Sequence, residues 1–100
     1  MKHFLMFYDF VDDCVSKRAA YRSAHLQQAW EAHARGELLL GGALAEPVDG
    51  AVLLFAGETP GVAEEFARSD PYVLNGLVLR WRVREWSTGV GAMAVTRVKP

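Results

Sequence analysis

At 100 residues the chain has room for one domain around a single core, read here as residues 1–100 with a tail from residue 88. Eleven basic side chains against twelve acidic ones leave a formal charge of −1, which argues against a nucleic-acid binder working through a basic surface. The lone cysteine, Cys14, cannot staple the fold and makes the cytoplasm the default, and the apolar N-terminal run, interrupted by Asp9, is too short for a signal core or a membrane span.

Residues 3–8 are aromatic or aliphatic at nearly every position, as in a central strand covered on both faces. Asp9, Asp12 and Asp13 then read as a loop whose acids complement the start of a helix. No Pro or Gly occurs from Val15 to Arg35, and Val15, Ala19, Leu26, Ala29, Trp30 and His33 share about a third of the helical wheel. That spacing predicts one amphipathic helix, closed by a left-handed Gly36. Residues 38–44 predict a second strand, in which Gly41 and Gly42 mark a bulge or a close backbone approach.

Residues 47–50 turn the chain into a third, buried strand over 51–56. Thr59 as N-cap and Pro60 as first helical residue open a short helix to about Ser69, ended by Asp70 and Pro71. Leu77, Leu79, Trp81 and Val83 alternate with Val78, Arg80, Arg82 and Arg84, which predicts a fourth strand with one buried face. Its arginines read as a solvated edge or an intersubunit salt-bridge row. Residues 93–98 offer a fifth strand or a segment lying against a partner subunit.

The order strand, helix, two strands, helix, strand predicts an α+β fold, the ferredoxin-like βαββαβ arrangement with a four-stranded antiparallel sheet. Strands one and three are expected to join in parallel through a right-handed crossover, with both helices on one face. The opposite face also carries apolar side chains, so a second copy is expected to cover it. A two-fold homodimer of the dimeric α+β barrel type is the simplest assembly.

Arg18, Arg22 and His25, at i, i+4 and i+7, share a helix face bordering the apolar stripe, which puts His25 at a rim between core and solvent. There it is either a surface histidine or a proton carrier. His33 lies within the stripe and reads as a packed or surface-edge residue without a task. Asp70 can cap a turn begun by Pro71, orient an imidazole, or do both. Nucleophile motifs, phosphate-cradling glycine loops and metal-ligand spacings are missing, so neither a metal nor a cofactor is expected. Trp30, Trp81 and Trp86 read as core or interface residues, or as the lining of an aromatic pocket.

Three segments carry a resemblance. Arg22-Ser23-Ala24-His25-Leu26, then Gly36-Glu37-Leu38-Leu39-Leu40-Gly41-Gly42-Ala43-Leu44, then Ser69-Asp70-Pro71-Tyr72-Val73 with Gly76 resemble the three signature blocks of the YCII-related family, in order, across about residues 3–87. The tail 88–100 has no matching pattern. Where the family often has proline after the second-block glycine, this chain has Ala43. The resemblance implies a ferredoxin-like dimer whose active site centres on His25 and Asp70, with Arg22, Gly42 and Tyr72 at the substrate. His25 would be general acid or base, Asp70 its orienting partner and Arg22 a clamp for an anionic group.

The activity implied is cofactor-free proton transfer of lyase or isomerase type on a small molecule. A non-catalytic module that binds a metabolite, or acts as an accessory dimer, is the alternative from a different class. A cofactor-independent monooxygenase stands behind both. No nucleic acid or membrane is expected as a partner.

Overall fold

The computed structural model describes residues 1–100. Alternation along β1 (Lys2–Phe10) sends Phe4, Met6, Tyr8 and Phe10 into the core, while Leu5 and Phe7 are half-buried on the opposite face. β1 is central because β3 (Gly50–Gly57) pairs on one side and β4 (Val78–Trp86) on the other, with β2 (Leu38–Ala43) outside β3. The sheet order is therefore β2-β3-β1-β4.

Every neighbouring pair is antiparallel, which gives the expected four-stranded antiparallel sheet and corrects the parallel joining of strands one and three. The helical crossover links β1 to β2, which run in the same direction. The reversal at residues 44–49 then slots β3 between them, opposed to both. Gly50 pairs with Asp9 in this arrangement, and a Cβ on it would lie 2.5 Å from the Tyr8 carbonyl oxygen, so only glycine lets the two strands approach here.

The single helix expected over residues 15–35 is broken. A short α1 (Cys14–Lys17) runs into a 3-10 turn (Arg18–Ala20), and α2 (Arg22–Ala34) begins after Tyr21. A 3-10 turn winds at 3.0 residues per turn, so apolar positions before and after it fall out of phase. Ala32 is buried, but Leu26 and Trp30, read as core-facing, are not. Gly36 takes φ +80° after the helix, as its position predicts.

The bulge in β2 falls at Leu39, where the register shifts between Leu38 and Leu40, and not at the two glycines; a Cβ on Gly42 would meet nothing within 4 Å. A second irregularity lies between Asp9 and Phe10, which face Arg80 and Val78. It leaves Leu79 unpaired and 67% exposed, against its expected burial, while Leu77 and Val78 are both buried. Beyond it, Arg80 Nε donates to Asp9 Oδ2 at 2.6 Å and the Arg82 guanidinium lies 4.3 Å from the centre of the Phe7 ring.

α3 (Gly61–Ser69) packs Ala63, Phe66 and Ala67 against the sheet, and α4 (Pro71–Leu74) follows at once. α3 starts one residue later than expected, with Pro60 at the cap position. The tail forms no fifth strand: residues 88–98 fold back on themselves, the N–H of Val98 donating to the Gly89 carbonyl at 2.8 Å. No helix is long and apolar enough to cross a membrane.

Candidate active site

The backbone of Asp70 leaves the helical region between α3 and α4 (φ −69°, ψ 123°), and Pro71 then starts the second helix with φ suited to that position. The aspartate thus caps α4: its Oδ1 accepts from the Tyr72 N–H at 3.0 Å. The same oxygen accepts from His25 Nδ1 at 2.8 Å, and Oδ2 accepts from the Tyr8 hydroxyl at 2.8 Å. Capping and imidazole binding coexist in one side chain, which is completely buried.

A buried ion loses several kcal/mol of hydration, and only such a set of charge-assisted bonds, about 1.5–3 kcal/mol each, makes it tolerable. No buried side-chain nitrogen or oxygen lacks a partner. An ionised carboxylate can only accept, so Nδ1 of His25 must be the donor. In the neutral ring the lone pair then sits on Nε2.

Packing fixes the ring's plane. His25 stacks on Tyr72 with centroids 3.9 Å apart and planes 6° from parallel, and Phe66 meets it nearly at right angles, 6.4 Å away. Its side chain keeps 16% of its surface exposed, matching the expected rim position.

Tyr8 was not legible as a site residue, since it reads as one more aromatic of a buried strand. The available signal was its polar tip, which must find a partner once buried. Burial raises the Tyr8 hydroxyl far above the ordinary tyrosine range, with the charge of Asp70 and the hydrogen bond to it acting in the same direction. Tyr8 therefore stays a donor. Burial also raises the Tyr72 hydroxyl, with Arg18 and Arg22 pulling it back.

His25 lines a cavity of about 410 Å³ between α2 and β2. Arg22, Gly42 and Tyr72 line it as well, so four of the five residues singled out from sequence share one space. Asp70 does not reach its wall and acts on it through His25, Tyr8 and Tyr72, which line it and hydrogen-bond to the carboxylate. Arg18 adds a second cation, and Trp30 contributes the one tryptophan present there. Trp81 is half-buried against the core, and Trp86 borders a separate hollow beside the tail.

His33 has a structural task after all: its Nδ1 lies 2.8 Å from the Leu38 carbonyl oxygen, tying the end of α2 to β2. No three His, Cys, Asp or Glu side chains cluster to hold a metal ion.

A family model for the YCII-related domain matches residues 1–87. The chain belongs to the YCII-related family. Among solved structures, this YCII-related chain is similar to 5-chloro-2-hydroxyhydroquinone dehydrochlorinase from Burkholderia phenoliruptrix, in complex with 2,5-dihydroxybenzoquinone. The identity is 21%, the TM-score 0.76, and 87% of this chain and 95% of that one are covered. A protein from Agrobacterium tumefaciens (15% identity, TM-score 0.58) is covered to 99%, with 96% of this chain. A NIPSNAP family protein from the same organism (10%, TM-score 0.55) is covered to 97%, with 95% of this chain. These likenesses establish the α+β fold. No curated protein matches by sequence.

Proposed function

We propose that this YCII-related chain is a small-molecule enzyme in which His25 moves a proton as general base and acid, Asp70 orients it and Arg22 clamps an anionic oxygen of the substrate. The observation that carries this reading is the 2.8 Å bond from His25 Nδ1 to a buried carboxylate, in a ring that lines the cavity. Nε2 takes a proton from an O–H or C–H of the substrate, and the electron pair moves into the ring system. The proton then returns at another atom, an isomerisation, or an anion departs with the pair, an elimination.

Neither route needs a cofactor. Arg18 and Arg22 suit the negative oxygen formed on the way, and the largely apolar cavity wall beside His25 suits a planar ring. The dihydroxybenzoquinone bound by the Burkholderia enzyme is a compound of that kind, which supports a hydroxylated ring as substrate.

A panel of hydroxylated and halogenated hydroquinones and quinones, run on wild type, His25→Ala and Asp70→Asn, tests the proposal. Turnover should fall about 10²–10⁴-fold in His25→Ala, with a stability loss of about 1–3 kcal/mol from the missing bond to Asp70 that leaves the protein folded. Undiminished turnover in that variant would refute the role of His25. Binding without turnover in any protein, wild type included, would favour the metabolite-binding module.

We also propose that the protein is a two-fold dimer closed over the outer sheet face. Leu5, Phe7 and Val52 are only half-buried there, and Leu44 extends the apolar surface into solvent. Sedimentation at micromolar concentration should give twice the 11.1 kDa chain mass. A single-chain mass would remove the dimer and leave the His25 proposal standing.

A further inference from the structure

The cavity is longer than the chemistry assigned to it. His25 and His33 both line it, and eight helical steps separate them, about 12 Å at 1.5 Å per residue. A dihydroxybenzoquinone ring spans roughly 5–6 Å between opposite oxygens, given bonds of about 1.2–1.5 Å. One such ring beside His25 fills only the near half.

The two halves differ in chemistry. Arg18, Arg22 and His25 gather at one end. Farther along, α2 supplies Leu26 and Trp30, and β2 supplies Leu38 and Leu39. The bulge at Leu39 is what lets successive leucines reach one cavity, since a regular strand would send alternate residues to opposite faces. The bond from His33 to the Leu38 carbonyl ties helix to strand at this end.

Leu26 and Trp30 remain 41% and 68% exposed although they border the same space. Two large apolar side chains at i and i+4 on α2 form a continuous patch, unlike scattered surface hydrophobes. A ligand pocket with charge at one end and apolar surface at the other orients an amphipathic molecule.

We infer that the substrate is a hydroxylated ring bearing an apolar substituent, its acidic oxygens at Arg18 and Arg22 and its substituent lying along Leu26 and Trp30. This rests on the ring-substrate reading above and extends it to a specificity wall. The ring lies beside His25 and presents its proton to Nε2, while the substituent covers apolar surface that a bare ring leaves wet.

Calorimetric titration with 2,5-dihydroxybenzoquinone and its 3-butyl derivative provides the test, on wild type and on the double variant Leu26→Ala with Trp30→Ala. Wild type should bind the butyl compound at least about tenfold more tightly, since each buried methylene is worth roughly a factor of four at best. In the double variant the ratio of the two affinities should fall toward one, and using the ratio cancels any general loss of folded protein. Equal affinities in wild type, or a ratio the double variant leaves intact, would overturn the inference while sparing the ring reading. Binding of neither compound would overturn both.

Discussion

At the Asp70 end of the cavity, strand, turn and helix converge on one carboxylate that accepts three hydrogen bonds, whereas along Leu26 and Trp30 large apolar side chains stand open to water. The first region is held by short polar bonds between residues 45 and 62 positions apart in the chain. The second is held by backbone pairing and one histidine-to-carbonyl bond. On the proposed function, the geometry that proton transfer would need is over-determined, and the surface that would accommodate a variable group is left unpartnered. Stability and specificity should accordingly respond to mutation in different places.

The sharpest break in that contrast should come from Asp70→Ala. It orphans the Tyr8 hydroxyl, the Tyr72 N–H and His25 Nδ1 together and removes the cap of α4, so unfolding free energy should drop by about 3–5 kcal/mol in urea titration. A loss below about 1 kcal/mol would mean the network is not structural.

Tyr8→Phe should cost less, about 1–2 kcal/mol at neutral pH, because only Oδ2 loses a donor. It also makes a pH-dependent statement. The folded chain raises this hydroxyl above the ~10 of an unfolded tyrosine, so its contribution is complete below pH ~10 and is lost as pH rises toward the folded value. Wild type should therefore lose stability between about pH 9.5 and pH 11 faster than Tyr8→Phe does, with the residual slope of the variant owing part to Tyr72, which is shifted the same way. Parallel denaturation-midpoint curves for the two proteins across that window would contradict the assignment.

The smallest effect belongs to the other region. Trp30→Ala removes a mostly exposed ring whose aromatic partner is His33, and its melting should stay within about 0.5 kcal/mol of wild type. A cost of 2 kcal/mol or more would show that the apolar wall is core after all.

Much of this was legible in the chain. Strand periodicity, the left-handed Gly36 and the Asp70-Pro71 turn are local signals, and each depends on a few adjacent residues. The placement of His25 beside Asp70 is not a local signal; it is implied only by the resemblance of three sequence blocks to the YCII-related family. The break at Arg18–Ala20 left no trace because that stretch has neither Pro nor Gly and its residues are acceptable helix formers.

The bulge beside Leu79 was equally silent, since two-residue alternation runs through it in sequence while register fails in space. Strand direction was misjudged for a topological reason: the neighbour of β1 is decided by the hairpin that comes after β2. Tyr8 shows the remaining gap, because nothing near it in sequence says that a carboxylate 62 positions later will meet its hydroxyl.

The double duty of Asp70 bears on how relatives of this protein should be read. Its carboxylate would be required by the turn even in a molecule that had given up chemistry, so retaining the acid says little about whether a given homologue still turns over substrate. The imidazole is free of that obligation. A homologue lacking it but keeping the aspartate is best regarded as the same scaffold put to another use.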